Sequence, residues 1–209
     1  YTFVKEYDLK TIPHDYELHE NTFKRSYINP TGAIYIAAPD SVTGTTISVD
    51  DIEEYCSRHS HVILDETYAT HDTCYNDIIN KHDNIFIIRS FSKTGGAAGL
   101  RIGYVLSCQR NIDLLYHNRP MFEINSIACE YIKHIKNNQN ILYKSRNNIT
   151  RGKILFEDTL HSQGYKVYTT HGNYTLTDYE SRLDRALSRK CVFRRVLINQ
   201  VEYIRLTAA

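Results

Sequence analysis

The sequence has no tryptophan and a single methionine, Met121, far from its start. Its first residue is Tyr1, so we expect a longer chain whose absent part lies on the N-terminal side. No apolar run approaches the roughly 18 residues of a membrane span, and Tyr1-Thr2-Phe3-Val4-Lys5 does not read as a signal peptide. Neither sign of charge dominates. Twenty-five Lys and Arg against 24 Asp and Glu leave +1, which excludes a bulk field for nucleic acid or an anionic membrane. The five cysteines (Cys56, Cys74, Cys108, Cys129, Cys191) are odd in number and form no Cys-x-x-Cys. That argues against a disulfide framework or a zinc site and points to reduced thiols in a cytoplasmic setting. No internal repeat is present. What remains is ample: 209 residues, 42% hydrophobic and 11% aromatic, can bury the core of one or two domains.

Short apolar runs punctuate the first half. Ala33-Ile34-Tyr35-Ile36-Ala37-Ala38 reads as a buried strand closed by Pro39-Asp40-Ser41. Ser48, followed by Asp50 and Asp51, marks a helix start, where acids suit the positive helix end. Further strands are expected at His61–Leu64, ending in Asp65-Glu66, at Asn84–Ser90 and at Gly103–Ser107. Strands alternating with helical stretches predict an α/β sheet, mostly parallel and covered on both faces. From Asn111 the pattern turns helical. Pro120 interrupts it, residues 124–135 repeat at helical spacing, and Ile141–Leu160 form a further long helix. After Gly164, strands are expected at Tyr165–Tyr168, Tyr174–Leu176, Cys191–Phe193 and Tyr203–Leu206, with a helix over Tyr179–Leu187. We expect domains over 1–140 and 141–209, the second a small α/β unit.

The most informative segment is Ser90-Phe91-Ser92-Lys93-Thr94-Gly95-Gly96-Ala97-Ala98-Gly99-Leu100-Arg101-Ile102-Gly103-Tyr104. A buried strand runs directly into two hydroxyls, a lysine, a small-residue loop and an arginine. A lysine at the end of a buried strand is costly unless paired or neutral, and the neutral amine can attack a carbonyl. Ser90, Ser92 and Arg101 supply hydroxyls and a planar fork of the kind that holds a phosphate. A second segment, Asp65-Glu66-Thr67-Tyr68, closes another strand, at the sheet edge where ligands collect in open α/β sheets. A carboxylate there could pair with a protonated ring nitrogen, and the Tyr68 hydroxyl could bond a ring oxygen. Lysine, carboxylate and phosphate clamp together are what pyridoxal phosphate chemistry needs.

On these segments the sequence resembles the fold type I pyridoxal-phosphate aminotransferases, and within them the histidinol-phosphate aminotransferase-like group. Ala38-Pro39-Asp40-Ser41-Val42-Thr43-Gly44 stands where that family has an Asn-Pro-x-Asn-Pro-Thr-Gly turn. Arg119–Asn125, Gly172-Asn173-Tyr174-Thr175-Leu176 and Tyr203-Ile204-Arg205-Leu206-Thr207 are similar to further family segments. The resemblance implies an incomplete large domain plus the small C-terminal domain. It implies Lys93 as the residue that forms a Schiff base with the cofactor and shuttles the proton. Asp65 would pair with the ring nitrogen, Tyr68 would bond the ring oxygen, and Ser90, Ser92 and Arg101 would bind the phosphate. Arg205 would hold the substrate carboxylate, with Arg194 and Asn173 as further substrate-side candidates. It also implies amino-acid and keto substrates and a homodimer. Surface charge on small-domain strands is the competing reading of Arg194 and Arg205.

Ser41 departs from the family's asparagine and offers a shorter arm. A literal Asn29-Pro30-Thr31-Gly32 precedes the first strand instead of following it, so it does not substitute for that turn. Three functions stay open: an aminotransferase acting on an amino acid and a 2-oxo acid or phosphorylated ketone; a decarboxylase of the threonine-phosphate type; and a degenerate, non-catalytic interaction module. No metal site is expected, since His59 and His61 lack carboxylate partners at useful spacing. Arg189-Lys190 and Arg194-Arg195 enclose a single aromatic, Phe193, which is not a nucleic-acid stripe.

Overall fold

Residues 16–19, 21–25, 32–70, 74–189 and 192–208 are described by the computed structural model of the chain. In three apolar runs every second side chain faces one side. These are Ile34 and Ile36 on β3 (Ala33–Ala37), Val62 and Leu64 on β4 (His61–Asp65), and Ile85 and Ile87 on β5 (Ile85–Ser90). All six are buried, and they pack with Ile52 and Cys56 of α1 (Val49–Arg58) and with Tyr75 and Ile78. Each such aliphatic side chain contributes about 1.5–3 kcal/mol when removed from water, so this stack is the main core. Helix α1 starts where the sequence indicates: Ser48 Oγ accepts from Asp51 N at 3.1 Å, with Asp50 and Asp51 at the positive end.

Strands β3, β4 and β5 run parallel, and β6 (Gly103–Leu106) pairs antiparallel with β5. The sheet is therefore mixed and mostly parallel, in the order β3-β4-β5-β6. The reversal follows from the link between β5 and β6. It holds only a 3-10 turn at Ala98–Leu100, with no helix to carry the chain back across the sheet. Helix α2 (Gln109–Asn118) ends at Arg119, which is extended ahead of Pro120. Helix α3 (Ser126–Asn137) is capped by Asn125 Oδ1, which accepts from Ala128 N at 2.8 Å. Helix α4 (Asn140–Ser162) follows and is the longest.

A second, wholly antiparallel sheet has the order β7-β8-β10-β9. It comprises β7 (Val167–Tyr168), β8 (Tyr174–Asp178), β9 (Arg194–Ile198) and β10 (Val201–Thr207), with α5 (Ser181–Ser188) between β8 and β9. Here the sequence expectation needs correction. The strand expected at Cys191–Phe193 begins instead at Arg194, and Cys191 lies outside the described residues. The cause is the two-residue turn Asn199-Gln200, whose φ values of 49° and 67° suit the twist of a tight hairpin. That turn sets the register Ile198↔Val201 through Arg194↔Arg205. A small hairpin, β1 (Tyr16–His19) and β2 (Thr22–Arg25), meets this turn through Asn199 Nδ2, which donates to Tyr16 O at 2.5 Å. The Asn29-Pro30-Thr31 segment lies outside the described residues. Among those described, no helix is long and apolar enough to cross a membrane.

Candidate functional site

Asp65 closes β4 with Ala37 of β3 as its register partner. The alternation that sends Ile36 and Leu64 into the core sends Tyr35 and Asp65 to the opposite face. There the Tyr35 hydroxyl donates to Asp65 Oδ2, and Thr67 N donates to Oδ1 at 2.8 Å. Partial burial, then Asp65 itself, pushes the Tyr35 phenol well above its ordinary value. An open cleft of about 340 Å³ sits here, lined by Tyr35, Ala37, Asp40, Ser41, Asp65, Thr67 and Tyr68. Its volume is at the lower end of what a small-molecule site needs.

Strand β5 delivers Ser90 to the same edge, and its Oγ accepts from Ser92 N at 3.0 Å. Lys93 Nζ lies 4.9 Å from the centroid of the Tyr68 ring, within cation–π range. Tyr68 packs edge-on against Tyr174 at 5.8 Å between centroids. The buried Arg205 guanidinium lies 5.8 Å from the Tyr68 ring and 4.8 Å from that of Tyr174. Tyr68 therefore stands between the lysine of one sheet and the arginine of the other.

The turn after β3 joins the two sheets. A cis peptide links Ala38 to Pro39. Asp40 Oδ1 accepts from Val42 N and Thr43 N at 2.9 Å each and from Thr43 Oγ1 at 3.1 Å, which rigidifies the turn. Arg205 donates to the Ser41 carbonyl and Tyr174 to the Asp40 carbonyl. Arg205 Nε is buried with no hydrogen-bond partner among the described residues, as is Asn173 Oδ1. The Asn173 amide nitrogen donates to Ala208 O at 3.3 Å. Buried polar atoms of this kind are costly unless something completes them.

Ser41, Asp65, Tyr68, Lys93 and Arg205 thus converge, with Ser90 and Ser92 on the same edge and Asn173 beside Tyr174. Arg101 belongs to the same loop, but its exposed side chain turns back to Ala98 O at 3.2 Å, on a residue with φ 54°. Arg194 is exposed on β9, opposite Arg205 in register. Its neighbour Arg195 pairs with Asp184 through two contacts of 2.8 Å, a structural bridge. Sequence reasoning missed Tyr35 and Tyr174. Period-two alternation could have found Tyr35, since it falls on the Asp65 face of an adjacent strand. Nothing local could have found Tyr174, whose partner lies 134 residues away.

The chain is similar to known proteins in sequence and in fold. Histidinol-phosphate aminotransferase 2 of Pasteurella multocida is 32% identical over 165 residues, covering 75% of this chain and 45% of that protein. The crystal structure of histidinol-phosphate aminotransferase from Sinorhizobium meliloti in complex with pyridoxal-5'-phosphate superposes with a TM-score of 0.71 at 21% identity, over 85% of this chain and 53% of that one. L-threonine-O-3-phosphate decarboxylase from Porphyromonas gingivalis gives 0.66 at 19%, over 85% and 60%. At these identities the structures speak to the fold alone. The chain spans about half the length of the curated relatives it matches. The model of the family described as aminotransferase class I and II matches residues 4–209. That match runs over nearly the whole chain, and this protein belongs to the class I and II aminotransferases.

Proposed function

We propose that the full-length protein is a pyridoxal-phosphate-dependent aminotransferase. It moves an amino group between an amino acid and a 2-oxo acid or phosphorylated ketone, as the names of its relatives suggest. The observation that carries this reading is the convergence of Lys93 and Arg205 on Tyr68, beside Asp65 in an open cleft. The donor set fits the cofactor. A carboxylate at a strand end suits a protonated ring nitrogen, hydroxyls at Ser90 and Ser92 suit a phosphate, and the incomplete Arg205 Nε suits a carboxylate ligand. When bound, pyridoxal 5'-phosphate supplies an electron sink for the pair released at the substrate Cα.

The chain's own residues do the rest. Lys93 would hold the cofactor and carry the proton to and from the substrate Cα. Asp65, oriented by Tyr35 and Thr67 N, holds the ring-nitrogen proton. Tyr68 presents its ring to Lys93, and its hydroxyl would bond the ring oxygen, while Ser41 lines the cleft where the family has asparagine. Arg101 would complete the phosphate clamp on releasing the Ala98 carbonyl to which its side chain donates. Its left-handed backbone is the kind of strain that is retained at functional sites. Arg205 would hold the substrate carboxylate, with its register partner Arg194 and with Asn173 as further substrate-side candidates.

The large domain extends to residue 140, and the small domain covers 141–209, taking in nearly all of α4. The enzyme works as a homodimer, and the exposed Leu114, Met121, Phe122 and Ile127 support a face that is covered in the assembly. It resides in the cytoplasm, in keeping with free Cys56, Cys108 and Cys129.

The test is exchange of the substrate α-hydrogen with solvent in the full-length protein. Exchange with amino transfer, abolished in Lys93→Ala, is the expected result. Carbon dioxide release without amino transfer would replace this reading with decarboxylation. Absence of pyridoxal phosphate binding would leave an interaction module.

A further inference from the structure

The loop that carries Lys93 is held from outside by three side chains of the helical segment that follows the sheet. Ser145 Oγ on α4 donates to Thr94 O at 2.8 Å, and Tyr131 Oη on α3 donates to Gly95 O at 2.6 Å. Asn125 Nδ2 donates to Leu100 O at 3.2 Å. The first two carbonyls belong to the two residues directly after Lys93. Within the loop, Ala97 N donates to Phe91 O at 3.0 Å. A Cβ at Gly95 would lie 2.8 Å from that same oxygen, so the turn admits only glycine. The Tyr131 ring also packs edge-on against Phe91 at 5.9 Å.

Each hydroxyl exchanges a bond to water for one to this loop, so its net contribution to stability is modest. What they add is direction. Each fixes the plane of a peptide beside Lys93, and the path of the lysine side chain follows from the backbone that carries it. The same helix reaches the second sheet. Thr175 of β8 donates to Glu157 at 3.3 Å, Lys153 donates to Thr170 O, and Leu160 packs with Ile204 and Leu206, the neighbours of Arg205. Fifteen residues separate Ser145 from Leu160, about 22 Å of helix.

We propose that Tyr131 and Ser145 are positioning residues for Lys93, acting through the Thr94 and Gly95 carbonyls. The proposal rests on Lys93 being the residue that attaches the cofactor. Two probes applied to the full-length protein separate the two claims. Pyridoxal 5'-phosphate carries the aldehyde that reacts with lysine, whereas pyridoxine 5'-phosphate fills the same site without reacting. In Tyr131→Phe, which keeps the ring against Phe91, and in Ser145→Ala, covalent attachment to Lys93 slows about tenfold, the effect of losing one hydrogen bond of ordinary strength. Pyridoxine phosphate affinity stays within about twofold, because the pocket is intact. Ser145→Thr, which restores the hydroxyl, recovers the rate.

Equal loss for both ligands would mean a structural role for the loop and overturn the proposal, as would unchanged attachment in both variants. If borohydride fixes no pyridoxal phosphate onto Lys93 in the unsubstituted protein, the functional reading beneath it fails first, and visibly so.

Discussion

At the scale of single residues, the candidate site is a set of tyrosines arranged around one carboxylate and two cations. Tyr35→Phe removes a hydroxyl that donates to the Asp65 carboxylate. A hydrogen bond to a charged group is worth about 1.5–3 kcal/mol when buried. With Tyr35 largely exposed, about 1 kcal/mol is the better figure, so pyridoxal phosphate should bind the full-length variant about fivefold more weakly in an absorbance titration. Thiols give a second check. Burial pushes Cys56 up to about 11, while Cys129 is exposed. Iodoacetamide at neutral pH should therefore modify Cys129 well before Cys56, as followed by peptide mass spectrometry. Of the site residues, those in the lysine and Asp-Glu-x-Tyr segments were legible in the sequence because strand ends and loops concentrate chemistry in short runs. Tyr174 was not, because only tertiary folding brings its hydroxyl to the Asp40 carbonyl. The Arg101 side chain was not either, since its direction depends on a left-handed backbone that no residue pattern announces.

At the scale of elements, alternation of apolar residues located β3, β4 and β5, and Ser48 located the start of α1. The error at β9 arose because Cys-Val-Phe looks more like a strand than Arg-Arg-Val-Leu-Ile, while the hairpin turn decides the pairing. That turn is improvable. Gln200 adopts φ 67°, which glycine occupies without strain, so Gln200→Gly should raise stability by about 0.5–1 kcal/mol, read as a higher urea midpoint. The turn after β3 is the opposite case. Gly44 has φ 73°, and a Cβ there would meet Thr170 Cβ at 2.5 Å, whereas Gly96 has φ 69° and open space. Gly96→Ala should cost about 1 kcal/mol for backbone strain alone, and Gly44→Ala about 2–3 kcal/mol, because the turn must also part from Thr170 in the link between β7 and β8. Equal costs would mean that the contact between turn and link is absent.

At the scale of the whole molecule, stability should decline on the alkaline side. Burial raises Tyr35, Tyr131, Tyr168, Tyr174 and Tyr203 above their ordinary values. Their contribution is complete below about pH 10, where the unfolded chain also keeps these protons, and is lost above it as only the unfolded chain releases them. Lys153 acts in the other sense: burial lowers it, so its penalty is relieved as pH rises towards 10.5. The urea midpoint of the full-length protein should fall between pH 9 and pH 11, and Tyr174→Phe should fall less steeply. The two-sheet plan was legible in outline, but how the sheets join was not, because it depends on Arg205 and Tyr174 reaching two main-chain oxygens. The antiparallel pairing of β5 with β6 carries one further consequence. Ser90 and Gly103 are register partners, so residues 91–102 leave and re-enter the sheet at one edge. That makes the segment a cassette: for directed evolution its positions other than Ser92, Lys93, Gly95 and Arg101 can be exchanged as one block, with both splice points on adjacent strands about 5 Å apart.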